Sequence, residues 1–251
     1  MGFRVIDFMP KKYELTNKTK KWYGHTLYQI RALKNFGAVK AGELGGWIET
    51  EYNLSQNGDC WIYDNAVGYR RASVGNNAVV CDNAVVHNNA VVCDNAVVCD
   101  NAVICGRAVV CGNATVHNNA IVCENAIICD DAMICDAAGV SGNVVICGKA
   151  RVGDFAGVDG NATICGDATI CQNTDYTVVQ GFGRVHRTTT FYRLKDGDIG
   201  VTCGCFNGTI REFRDKVKET HRNSKYAQEY LMIADLMELH FKEGSNNEKR
   251  N

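Results

Sequence analysis

The sequence predicts a mainly β protein wound as a triangular coil. Three observations carry that prediction. From Asp64 to Gln172 an alanine returns every six residues, from Ala66 to Ala138 and again from Ala150 to Ala168, with Val144 the one substitution. Two residues after the alanine stands an aliphatic, as at Val80, Val98, Ile104, Val116, Ile128 and Ile146. Between these registers lie Asp-Asn, Asn-Asn and Gly-Asn pairs, residue types that tolerate the left-handed backbone of a tight corner. A strand points alternate side chains to opposite faces, so alanine and the second aliphatic turn inward while the residue between them turns outward. Corners every six residues allow three strands per eighteen-residue turn, about six turns in all.

An aliphatic followed four residues later by a small residue, as in Val80 and Ala84, resembles the left-handed parallel β-helix of the hexapeptide-repeat superfamily. The resemblance implies that fold. It does not choose a function, because acyltransferases, nucleotidyltransferases, carbonic-anhydrase-like proteins, ice-binding proteins and scaffolds share the coil. The expected division is an N-terminal β cap over 1–60, the coil over 61–174, and a C-terminal α+β cap over 175–251.

In the first cap, Tyr13–Leu15 and Thr26–Ile30 read as short strands around a polar, turn-rich stretch from Thr16 to Lys21. Trp47, Ile48, Leu54 and Trp61 are bulky enough to plug the first turn of the coil. This leader resembles hexapeptide-repeat proteins encoded by phages and prophages, as does the stretch through Cys205, Phe206, Gly208 and Phe213. In the second cap, strands are expected at Thr177–Gln180, Arg184–Leu194 and Ile199–Phe206, with Asp196-Gly197 as a hairpin turn. Thr209-Ile-Arg-Glu212 has the spacing of a capping box and opens a helix with Ile210, Phe213 and Val217 on one stripe. A second helix over Lys225–Lys242 would bury Tyr226, Tyr230, Ile233, Met237 and Phe241. From Gly244 the tail is polar and expected to fray.

The formal net charge is −1, unevenly spread. The coil carries five basic against eleven acidic residues over 61–172, which argues against nucleic acid tracking along it. With no apolar run of membrane-spanning length, and with Arg4, Asp7, Lys11 and Lys12 breaking any signal-peptide core, a cytoplasmic location without membrane partners is expected. Eleven of fourteen cysteines occupy one outward register, where His87, His117 and Ser141 also stand. Stacked parallel side chains do not naturally adopt disulfide geometry, so the thiols are expected to be reduced strand residues. The column Cys99, His117 and Cys135 spaces its ligands along a line rather than around a point, and Cys203-Gly-Cys205 lacks a second pair, so no metal site is expected.

One face stays apolar over successive turns: Val91, Cys93, Val109, Cys111, Ile127, Cys129, Val145, Cys147 and then Cys165. An exposed strip of that kind favours contact with another macromolecule. The favoured reading is therefore a non-enzymatic, phage- or prophage-derived binding protein, a homodimer or homotrimer or a ligand of a host protein, with no cofactor. The alternative is a hexapeptide-repeat acyltransferase, with His87 or His117 as the base that class requires. His25, His186, His221 and His240 form no recognisable set in the sequence.

Overall fold

The structure, a computed structural model, describes residues 10–243. The reading of Arg4 and Asp7 and of the tail from Gly244 lies outside the described residues. The chain is a parallel β-solenoid of about seven turns, slightly longer than the repeat suggests, with two helices near its C-terminus. Parallel strands of two residues stack at intervals of eighteen, as Val79 on Val97 on Thr115 on Met133. Backbone bonds join each turn to the next, such as Val97 N–H to Ala114 O at 3.0 Å and Cys99 N–H to Val116 O at 3.0 Å. Inside, Ala96, Val98, Ala102, Ile104, Ala126 and Ile128 are fully buried, so the alternation read from the sequence is the packing observed.

The corners show why the repeat needs its polar pairs. Every sixth residue takes positive φ, and nearly all are Asp, Asn or Gly, including Asn76, Asp82, Asp94, Gly106, Asn118 and Asp130. At several corners the carboxylate accepts an amide from the turn above, as Asp94 from Gly112 at 3.1 Å and Asp130 from Gly148 at 3.0 Å. Asparagines at the following position form ladders, Asn77 to Asn95 to Asn113 at 3.1 Å per step. Much of the acidic character of the coil is thus structural.

At the N-terminal end, β1 (Tyr13–Trp22) and β2 (His25–Ala32) form an antiparallel hairpin, and β2 pairs with β3 (Leu44–Ile48). β3 then stacks in parallel on Val67–Gly68, so the hairpin extends one face of the solenoid and covers its open edge. The structure corrects the reading of Thr16–Lys21 as a turn. That stretch is strand with a register shift between Leu15 and Thr19, and the chain reverses at Tyr23 and Gly24, both with positive φ. Ile48, Leu54 and Trp61 fill the first turn as expected. Trp47 instead faces outward, packed with Leu27, Val67 and Tyr69, because β3 alternates its faces.

At the other end, strands Tyr176–Phe182, Arg187–Arg193, Ile199–Cys203 and Phe206–Thr209 form an antiparallel sheet. Tyr192 from this sheet joins the solenoid core, and Thr163 N–H donates to Thr190 Oγ1 at 3.0 Å. On the opposite face lie α1 (Ile210–His221) and α2 (Lys225–Glu243), burying Phe213, Val217, Ala227, Tyr230, Ala234 and Met237 against Phe191 and Val201. Tyr226 departs from expectation: it is exposed and rests against His221, while Ala227 and Ala234 supply the close contact. The capping box is formed, with Glu212 N–H to Thr209 Oγ1 at 3.3 Å and Thr209 N–H to Glu212 Oε2 at 2.8 Å. Thr209→Ala is expected to cost about 1 kcal/mol of stability, measured by denaturant titration.

The cysteine register needs one correction. Cys147 and Cys165 are joined by a disulfide, their α-carbons 4.7 Å apart on adjacent turns, a spacing inside the range a bridge can span. The other cysteines are free. Burial pushes Cys93, Cys105 and Cys129 up to about 11, which keeps these thiols protonated and makes them poor nucleophiles.

Candidate active site

The hairpin that covers the first turns brings together residues far apart in sequence. His25, the first residue of β2, lies beside Glu49, which follows β3, and their Nδ1 and Oε1 atoms are 2.8 Å apart. The other carboxylate oxygen of Glu49 accepts the backbone N–H of Arg70 at 2.7 Å. Burial opposes ionisation of Glu49, but the bonds from His25 and the Arg70 amide outweigh it and hold the carboxyl below its ordinary range. With Nδ1–H directed at Glu49, the imidazole carries its lone pair on Nε2. Arg70 Nε lies 3.4 Å from that atom, and Arg70 Nη1 donates to Asn88 Oδ1 at 2.7 Å.

Tyr69 connects this pair to His87. Its ring lies 5.2 Å from that of His25 and stacks on His87 at 5.1 Å with the planes 12° apart. The Nδ1 atom of His87 is buried without a hydrogen-bond partner. Burial chiefly, and then the nearby Arg70 charge, push the His87 pKa down, so this ring is neutral at physiological pH. The linkage has a definite sign: a depressed histidine favours folding above its unfolded value, and that contribution is lost as pH falls through the folded one. His87→Gln should therefore flatten the loss of stability on acidification below about pH 6.5, read from melting temperatures across pH.

Arg70, Arg71 and Arg107 are three of the five basic residues of 61–172, and all three stand at one corner. With Asn88, Asn89 and Gly106 they line an open depression of about 480 Å³. Arg70 also breaks the corner rule, adopting φ 57° where the turns above it use Asn88 and Gly106. A bulky side chain in the left-handed region costs stability, and such strain concentrates at functional sites. Arg70→Asn is accordingly expected to raise stability by about 0.5–1 kcal/mol, measured by thermal melting, while weakening the site.

The sequence-derived candidates thus separate. His87 falls within the cluster. His117 sits on a different column with Nδ1 against Asn118 Oδ1 at 2.8 Å and no second histidine beside it. His25, Glu49, Tyr69 and Arg70 escaped sequence reasoning because only the antiparallel pairing of β1, β2 and β3 carries His25 to the coil. The misfit of arginine at a corner position was the available signal. The apolar face lies on a third sheet, running from Ser73 to Thr163. Along it Val91, Val109 and Val145 are half-buried, Ile127 is exposed, and Cys165 is covered by the C-terminal sheet. Cys203 receives a bond from Thr189 Oγ1 at 3.1 Å and Cys205 is exposed in the following turn. One thiol and carboxylate group does converge among the described residues: Cys81, Asp82 and Cys99 place their ligand atoms within 4.8 Å of one another.

With this geometry in hand, comparison with known proteins bears on chemistry. A family described as the YdcK β-solenoid repeat matches residues 108–124. A protein of Escherichia coli (strain K12) named "Uncharacterized acetyltransferase YdcK" is 48% identical over 52 residues, 20% of this chain and 16% of that protein. The chain is similar to both. The matched segment spans about a sixth of the relative's length. The acetyltransferase relative fits the hexapeptide-repeat superfamily and overturns the expectation of a non-enzymatic phage-derived binding protein, in favour of the acyltransferase alternative. That expectation rested on the apolar outer strip, a feature that enzymes and binding proteins built on this coil can share. Among the described residues no helix is long and apolar enough to cross a membrane.

Proposed function

We propose that the protein is an acyltransferase that moves an acyl group from a phosphate-bearing thioester, such as acetyl-coenzyme A, to a hydroxyl or amine acceptor at the His25 corner. The observation that carries this reading is the His25–Glu49 pair, with the imidazole Nε2 lone pair set beside a cluster of three arginines in an otherwise acidic coil. Glu49 fixes the tautomer and ring orientation. His25 Nε2 takes the proton from the acceptor as its oxygen or nitrogen attacks the thioester carbonyl. The carbon–sulfur bond then breaks, and the imidazolium returns the proton to the departing thiolate. Arg70 must release its long contact with Nε2 when the acceptor enters. Its guanidinium is then close enough to stabilise the oxyanion, while Arg71 and Arg107 match the donor's phosphates.

The open depression needs a further wall, so a homodimer or homotrimer that closes it belongs to the proposal, as does a cytoplasmic setting, where such thioesters occur. Acetyl-coenzyme A should raise the melting temperature saturably, since a ligand bound to the folded state stabilises it by mass action. Replacing Arg71 and Arg107 together by Glu should abolish the shift. A wild-type protein unmoved by millimolar acetyl-coenzyme A would contradict the proposal.

A further inference from the structure

On a different column from the histidine corner, we infer that Cys81, Asp82 and Cys99 form a binding site for one thiophilic divalent cation of the zinc class. Cys81 and Cys99 stand on adjacent turns, directly stacked because Val79 pairs in register with Val97. Asp82 directly follows Cys81 as the corner residue of that turn and has φ 58°. The three side chains present ligand atoms within 4.8 Å of one another. A tetrahedral zinc ion with bonds of about 2.3 Å to sulfur holds two thiolates about 3.8 Å apart, a separation this stack can supply with small rotations. A column of three ligands would lie along a line. Two rungs and the carboxylate beside them instead surround a point.

The surroundings distinguish this group from the other rungs. Asp82 Oδ2 accepts the Asp100 amide at 3.1 Å, and the same carboxylate also meets the Cys81 thiol. At the comparable Cys93 and Cys111 pair, both oxygens of Asp94 are occupied, by Asn76 Nδ2 at 2.8 Å and the Gly112 amide at 3.1 Å. Higher in the same column the groups satisfy each other: His117 contacts Asn118, and Cys135 donates to Asp136, which also pairs with Arg151 at 2.9 Å. Among the described residues no basic residue pairs with Asp82. A bound divalent ion takes both cysteines as thiolates and releases their protons. Thiolates favour zinc over magnesium or calcium, and the fourth position is left to water, since Asp100 Oδ2, 4.0 Å from Cys99 Sγ, already accepts the Asn118 amide at 2.9 Å.

The test is a cobalt(II) titration of the reduced, chelator-treated full chain, followed by zinc displacement and native mass measurement. The expected result is a thiolate-to-cobalt charge-transfer band that saturates at one ion per chain and disappears on zinc addition. Replacing Cys81 and Cys99 together by Ser should remove the band, while the same change at Cys93 and Cys111 should leave it. Asp82→Asn keeps a residue suited to the corner and should weaken cobalt binding by about 10-fold or more. The absence of a band in the wild type would overturn the inference. So would an unchanged band in the Cys81/Cys99 variant, or unchanged affinity in Asp82→Asn.

Discussion

Replacing His25 by Gln is expected to lower acyl transfer by about 10²–10⁴-fold, the range of general-base catalysis by a positioned side chain. The fold should survive, because His25 is only half-buried at the start of β2 and its backbone pairing with Trp22 does not need the imidazole. His117→Ala, on a separate column, should retain wild-type transfer. His87→Ala should fall between, since His87 supports the Tyr69 ring on which His25 rests. Glu49→Gln should reduce the rate by loosening the tautomer. Glu49 carries a depressed pKa, so its stabilising contact with His25 is present above the ordinary carboxylate range and is lost only as pH falls through the depressed value. Chromatographic measurement of free coenzyme A, with a panel of amine and hydroxyl acceptors, reads all of these effects.

Ile128→Ala is expected to destabilise the protein by about 2–5 kcal/mol, the cost of an unfilled core cavity. Ile128 is fully buried between Val110 and Ile146 of the adjacent turns. Neighbouring turns cannot collapse into the space, because their strands are held in register by backbone bonds on both sides, Cys111 N–H to Ile128 O and Cys129 N–H to Ile146 O. In a stacked architecture each turn contacts only its neighbours, so the lesion should also separate the two ends into distinct unfolding transitions. Urea titration followed by tryptophan fluorescence reports the N-terminal end, since Trp22, Trp47 and Trp61 all lie there. Circular dichroism reports the whole chain.

The coil was legible in the sequence because its physics is local and repeated. A hexad fixes strand, corner and inward face with the same three rules each time, and Ala102, Ile104 and Gly106 illustrate all three within five residues. Helix α1 was equally legible, since Thr209 and Glu212 cap it through their own side chains. The candidate site was not. His25 and Glu49 meet through the pairing of β2 with β3, a non-local contact that carries no periodic signal, and the hairpin turn lies at Tyr23-Gly24 rather than in the polar stretch before it. Trp47 misled for a related reason: its size suggested a core plug, whereas strand alternation turns it outward against Tyr69. The disulfide between Cys147 and Cys165 arose at a position where eleven cysteines share one register, so sequence alone could not single out that pair.

Hydrogen exchange with and without saturating acetyl-coenzyme A tests the central claim most directly, because it locates the donor on the chain. The account predicts slowed exchange at amides around Arg70, Arg71, Asn88, Asn89, Gly106 and Arg107, with little change elsewhere. No protection at saturation would contradict it. So would protection confined to the cavity of about 600 Å³ in the C-terminal region, lined by Tyr192, Asn207, Thr209 and Glu212.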